Sequence, residues 1–261
     1  MTFMRVLLTE FHKLRRSKIT WLSWLALSVL PIVGTLFMWI LMEPDRAARL
    51  GLLGNKAQLI GASADWLSYF ALLLQGTSIG GMILVSVIAA FVFGREYSER
   101  TAKNLLALPI GREWFAIAKL VVVFIWFMVV VIAMLGKALV LGFVLALPGF
   151  SWTLALGATG DILLAALVAW LLVPVVAWVA TLGKGYLAPL GFAVFALVMG
   201  MAVGSTGWGK WFPWSIVPLF AGVAGPRSET LATGSLVILL ATAAAGVAAC
   251  IWQLRYADNT Q

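Results

Sequence analysis

Few residues in this chain could do chemistry, and their spacing argues against most of it. His12 is the single histidine, so neither a histidine metal cluster nor a His-Glu zinc motif can be assembled. Asp65 and Asp161 each stand alone near the end of an apolar run, without the second carboxyl that acid–base catalysis needs in reach. Gly204-x-x-x-x-Gly209-Lys210 imitates the start of a phosphate-cradling loop. Trp211, however, stands where a magnesium-holding Ser or Thr is required, and no strand precedes the segment. Cys250 has no cysteine to pair with. The sequence therefore predicts no catalytic residue and no metal site, and an enzyme is disfavoured. Lys137 and Asp161 remain as charges that could line a path or stand at its outer gate.

The elements that carry these residues follow from composition. The chain has 63% hydrophobic and 11% charged residues in 261, with mean hydropathy +1.04; a soluble domain needs about 25% charged residues to cover its surface. About 20 apolar residues cross a ~30 Å hydrocarbon core as a helix. The uncharged runs 19–42, 66–94, 120–136, 162–183, 185–209 and 230–254 supply such segments. Inside lipid their backbones must satisfy themselves, and nothing alternates with the period of a barrel strand. The expected fold is a single all-α integral membrane domain over 1–261 with six transmembrane helices. Their boundaries are placed at 19–42, 66–94, 116–147, 161–183, 186–209 and 230–254.

Most of the eighteen Lys and Arg residues fall on the side that receives both termini, the 95–119 connection and Lys184. The positive-inside bias thus places both termini in the cytoplasm. The net charge of +8 reports topology and contact with anionic lipid; the basic residues form no separate domain of the kind nucleic acid would bind. The first apolar run is too long for a cleavable signal and is expected to stay.

Two stretches strain a simple six-span count. Residues 116–147 hold no turn signal before Pro148-Gly149, and as one helix of about 48 Å they overshoot the bilayer and must tilt, bend or protrude. Lys137 lies about 27 Å along this helix from Lys119, near the outer surface, and reads as a snorkelling lysine, with a substrate-facing charge as the alternative. Residues 211–226 are apolar, rich in Trp and Phe, and broken by Pro213 and Pro218. They are too short to cross and return, and read as an outer re-entrant hairpin.

Function should show in the segments outside these spans. Within 1–18, Phe3, Leu7, Phe11 and Leu14 recur at helical spacing with Met4 and Leu8, opposite Arg5, Thr9, His12, Lys13 and Arg16. This is an amphipathic helix on the membrane surface. Glu10 interrupts its apolar arc, as expected if it faces another helix or a partner. Between spans two and three, Glu96 with Arg100 and Glu99 with Lys103 form i,i+4 pairs in the favourable order. A short helix over 95–112 is predicted, ended by Pro109. Leu105, Leu106 and Leu108 leave an apolar knob beside charges, either docking on a partner or dipping into the bilayer.

The combination Glu10-x-x-Lys13-Leu14-Arg15-Arg16-Ser17-Lys18, Arg95-Glu96-Tyr97, Thr101-x-Lys103-x-Leu105-Leu106-x-x-Pro109-Ile110-x-Arg112 and Lys119 resembles the ABC-2 type permeases. Among these it looks most like the small permeases of antimicrobial-peptide immunity, bacitracin-type resistance and sodium extrusion. The resemblance covers the whole chain in architecture but only two patches in motif. It implies a cell-membrane protein of a prokaryote, the permease subunit of an ATP-driven exporter. Two permeases, as a homodimer or a related heterodimer, would pair side by side, each docking a separate ABC ATP-binding subunit that holds ATP and magnesium. No cofactor belongs to this chain. Residues 1–18, with Glu10, Lys13, Leu14 and Arg16, would be the elbow helix. Arg95, Glu96, Tyr97, Thr101, Lys103, Leu105, Leu106, Pro109 and Arg112 would occupy the coupling helix.

The alternatives are a secondary transporter or channel working without ATP, and a membrane-embedded enzyme. The former tends to carry internal repeats or mid-membrane charge, of which Lys137 and the kink-prone Pro31 and Pro174 are the only hints. Gly76-x-x-x-Gly80 and Gly200-x-x-x-Gly204 could let helices approach closely. A path with almost no charge suits a hydrophobic or amphiphilic cargo such as a peptide antibiotic or a lipid-like molecule.

Overall fold

The computed structural model describes residues 3–43, 49, 63–99, 111–225 and 232–256. Among these the regular structure is helical, and six helical segments are long and apolar enough to cross a membrane. A first helix, α1 (Phe3–Arg15), leads into α2 (Lys18–Met42). The second crossing is α3 (Trp66–Gly76), a π-helical turn over Thr77–Gly81 and α4 (Met82–Ser98). The third is α5 (Arg112–Val144). The fourth divides into α6 (Trp152–Leu171) and α7 (Val173–Leu182), and the fifth is α8 (Leu187–Gly204). A short α9 (Pro213–Phe220) precedes α10 (Thr233–Tyr256).

Local chemistry sets the ends of these helices. Asp65 accepts from the Ser68 amide at 2.8 Å and caps α3; this bond and the Ser63 hydroxyl hold its carboxyl below the ordinary value, the hydroxyl contributing most. Ser151 does the same for α6 through the Leu154 amide at 3.2 Å. The turn between α5 and α6 uses Gly149 at φ 80, a left-handed conformation that favours glycine. Pro174, lacking an amide hydrogen, sits in the first turn of α7, where the fourth crossing breaks. Gly246 of α10 meets that break: a Cβ there would lie 2.7 Å from the Val175 nitrogen.

The core lies between crossings two, three and four, whose most apolar stretches are more than half buried; α2, α8 and α10 surround them and leave most of their surface outward. At 33 residues, α5 is about 50 Å long and exceeds the bilayer. Its surplus is used at the charged end, where α1 packs along its first turns through Val6, Phe115 and Ala118. At the opposite end Trp66 is 1% exposed and packs against Phe70, Phe143 and Phe150, tying α3 to the turn after α5.

The segment after α8 folds back along it. A 3-10 turn at Gly209–Trp211 and α9 pack against Gly200 and Gly204, where a Cβ on Gly200 would lie 2.5 Å from the Trp214 carbonyl oxygen. The pair Gly200 and Gly204 thus serves packing within the chain. Gly76 packs under Leu30, whereas Gly80 faces open space.

Candidate functional site

The most unusual chemistry of the described residues is a buried cluster of four charges where α1, α4 and α5 converge. Glu10 projects from α1, Glu96 from the last turn of α4 and Lys119 from the second turn of α5, and all three are at least 93% buried. The Lys119 ammonium lies 3.0 Å from Glu96 Oε1 and 3.4 Å from Glu10 Oε2. It also donates to the Val92 carbonyl oxygen at 2.7 Å and sits over the Phe93 ring. Lys13, at the rim, bridges the same carboxylates at 2.5 Å to Glu10 and 3.5 Å to Glu96.

Two acids and two bases make the cluster neutral, which is the condition for burying it at all: an ionised side chain is tolerated out of water when its charge and hydrogen-bonding capacity are matched. Burial works against ionisation of Glu10, but the Lys119 and Lys13 ammoniums outweigh it and hold the carboxyl below its ordinary value. The arrangement can do no proton-transfer chemistry on a substrate. Mechanically, it pins three helices to one another at a single point.

The neighbouring residues complete the joint. Leu14 is 2% exposed, and its carbonyl accepts from the Ser17 hydroxyl at 2.6 Å and the Thr20 hydroxyl at 2.5 Å, fixing the corner from α1 into α2. Arg16 is exposed. Val6 joins Phe3, Leu7, Glu10 and Leu14 on the face turned inward, whereas Met4 and Leu8 are exposed.

The helix of the second crossing continues to Ser98, so Arg95, Glu96 and Tyr97 form its last turn. Glu96 turns inward to Lys119; Arg95 pairs with Glu99 at 3.7 Å, and Tyr97 is partly buried. Arg112 opens α5 and donates to the carbonyls of Leu254 and Arg255 at 2.9 and 3.1 Å, capping the C-terminal end of α10. Glu113 pairs with Arg255 at 3.1 Å beside it. Thr101, Lys103, Leu105, Leu106 and Pro109 lie outside the described residues, as does most of the 95–112 segment.

Two charges lie deeper. Lys137 does not reach outward: its ammonium turns back along α5, donates to the Ser28 hydroxyl and lies 4.8 Å from the centre of the Trp24 ring. Ser28 is ten residues into α2, about 15 Å from its start, so this charge sits near mid-span. A helical side chain leans toward the N-terminal end of its helix, which here is the charged end. Asp161 lies nine residues into α6, about 14 Å from Trp152, because the helix starts well before the first strongly apolar run. The sequence places the start of this span at 161, but Ser151 caps the helix well before it.

Sequence spacing brings Glu10, Lys13 and Glu96 into view but assigns Lys119 no partner. The available signal is complementary: an acid in the apolar arc of α1 and a base amid the apolar start of α5. The family described as ABC-2 family transporter protein matches residues 6–200, a stretch that contains the entire charge cluster. The chain is also similar to the bacitracin transport permease protein of Bacillus licheniformis, with 29% identity over 179 residues. That match covers 68% of this chain and 85% of the relative. With six membrane-crossing helices and a family match over most of its length, this chain belongs to the ABC-2 family of transporters.

Proposed function

We propose that this chain is the permease subunit of an ATP-driven exporter, and that the four-charge joint carries force from the cytoplasmic surface into the membrane bundle. The single observation behind the reading is that Lys119 holds α1 and the end of α4 to the start of α5 at once. A push on α1, or on the 100–110 connection that α4 enters, would therefore move α5 rather than bend a surface helix. A neutral, buried, hydrogen-bonded joint is suited to this because it resists separation and tolerates no half-broken state.

In this reading both termini lie in the cytoplasm, consistent with the charged end of the bundle. A separate ABC ATP-binding subunit, holding ATP and magnesium, docks on α1 and on Leu105 and Leu106. A second permease, identical or related, completes the path. The segment 211–226 is an outer re-entrant hairpin. The cargo is hydrophobic or amphiphilic; the relative's name, a bacitracin transport permease, supports a peptide antibiotic as its type.

The reading is tested by co-purifying this chain with the ATP-binding subunit. Leu105→Asp with Leu106→Asp should abolish association. Lys119→Met should leave association through Leu105 and Leu106 in place and ATP hydrolysis within about twofold, yet remove most cargo export, because the joint that ties α1 and α4 to α5 is cut. Association that survives the leucine changes, or full export by Lys119→Met, would overturn it.

A further inference from the structure

Two lysines of α5 stand amid apolar neighbours, and their surroundings differ in charge. Lys119 meets two carboxylates and a carbonyl, within a cluster that is neutral as a whole. The Lys137 ammonium meets only the Ser28 hydroxyl oxygen, to which it donates, and the Trp24 ring. The Ser28 proton is itself committed to the Trp24 carbonyl oxygen at 2.5 Å. An ammonium has three donors and a full charge, and among the described residues no carboxylate pairs with this one. A hydroxyl and a ring face orient a cation but do not neutralise it.

The depth of this charge is set by α2, independently of the overlong α5. Ser28 stands about 15 Å from the start of α2 at Lys18 and about 21 Å from its end at Met42. The helix is about 37 Å long against a ~30 Å hydrocarbon layer. Wherever the layer falls along it, Ser28 is therefore at least about 7 Å inside. An ionised side chain within the layer is costly and marks a functional site. This one is also accessible. Leu25 and Ile32, each within a turn of Ser28, and Val140, a turn beyond Lys137, are exposed. A Cβ on Gly136 would meet nothing within 4 Å.

We infer that this furrow between α2 and α5 is a cargo subsite for an apolar, peptide-like molecule carrying one carboxylate, with Lys137 receiving the carboxylate. The inference rests on the permease reading above. One ammonium and one carboxylate make a neutral pair, the same condition that allows the four-charge joint to be buried. A second copy of the chain has no spare carboxylate to offer at this depth. The described ones lie at helix ends or in the joint, except Asp161, which already has a partner. A phospholipid phosphate stays outside the hydrocarbon layer, at least about 7 Å away, whereas a peptide can carry a side-chain carboxylate inward along its apolar length.

The test uses the full chain in phosphatidylcholine nanodiscs and two photoreactive peptides, acetyl-Leu-photoleucine-Glu-amide and its twin with Gln in place of Glu. After irradiation, labelled segments are mapped by mass spectrometry. The Glu peptide should label 25–32 and 133–140 about tenfold more than its twin, the size of one charge-assisted contact. Lys137→Met should erase that preference while leaving the twin's labelling unchanged, which also shows that the variant is folded. Lys137→Arg should keep most of the preference. Gly136→Phe, which fills open space rather than displacing a neighbour, should reduce labelling by both peptides.

Equal labelling by the two peptides, or a preference that survives Lys137→Met, would overturn the assignment. So would photoreactive phosphatidylglycerol labelling the furrow as strongly as the Glu peptide, since the cation would then serve a lipid headgroup. If Gly136→Phe disrupts cross-linking between two copies of the chain but spares peptide labelling, the furrow belongs to a second copy and the inference fails. Labelling requires neither ATP nor the ATP-binding subunit, so its failure is distinguishable from failure of the co-purification test.

Discussion

Replacing Lys119 by Met keeps the length and most of the volume of the side chain but removes its charge. Glu10 and Glu96 then lose the buried ammonium they share, while the rim ammonium of Lys13 still reaches both, and the Val92 carbonyl loses a second donor beside its helical one. Breaking a buried ion pair by removing one partner costs about 3–5 kcal/mol. Lys13 is 31% exposed and retains contact with both carboxylates, so the expected loss is at the lower end, about 3 kcal/mol.

The loss should be local, because it falls where the inward face of α1 meets α5 through Glu10. Hydrogen exchange of the 3–15 amides in nanodiscs should quicken about a hundredfold, while the 126–135 amides stay protected. Glu10→Gln should cost less in the Lys119→Met background than alone, with a coupling of about 1–3 kcal/mol. Unchanged exchange in α1, together with additive single changes, would refute the claim that Lys119 pins α1.

Other consequences are as direct. Glu10 has a folded pKa below its ordinary value, so its contribution is fully present above the unfolded carboxylate pKa and is lost as pH falls through the folded value. A fluorophore on Thr9→Cys should show constant anisotropy at neutral pH and loosen only below about pH 4; loosening near pH 6 would contradict the sign. Gly142→Val should destabilise by about 1–3 kcal/mol, since a Cβ at Gly142 runs into the buried Trp66 ring, and a thermal melt in detergent would read the change. Arg112→Ala should leave the bundle folded but quicken exchange at 252–256 by several-fold, because two carbonyls at the end of α10 lose their donor.

Much of this molecule is legible from sequence because bilayer insertion is a composition problem solved segment by segment. A run such as 66–94 must be a helix wherever it sits, since lipid offers its backbone no other partners. The Pro148-Gly149 turn and the inward demand of Glu10 are legible for the same local reason: each concerns a residue and its immediate neighbours. Boundaries are less so. Asp161 looks like the start of a span because the small residues of 157–160 carry little hydropathy, yet the Ser151 cap and the packing of α6 on α3 extend the helix past them.

Sequence alone thus determines that the chain is a six-span helical membrane protein, which ends carry charge and that an amphipathic helix precedes the first span, because these follow from transfer free energies that add along the chain. Only the tertiary structure decides that Glu10, Glu96 and Lys119 meet, although 86 residues separate the first two. It alone decides, too, that Lys137 turns inward to Ser28. Those pairings depend on how helices from distant parts of the chain rotate and cross, and that is set by packing between faces, which no local window of sequence contains.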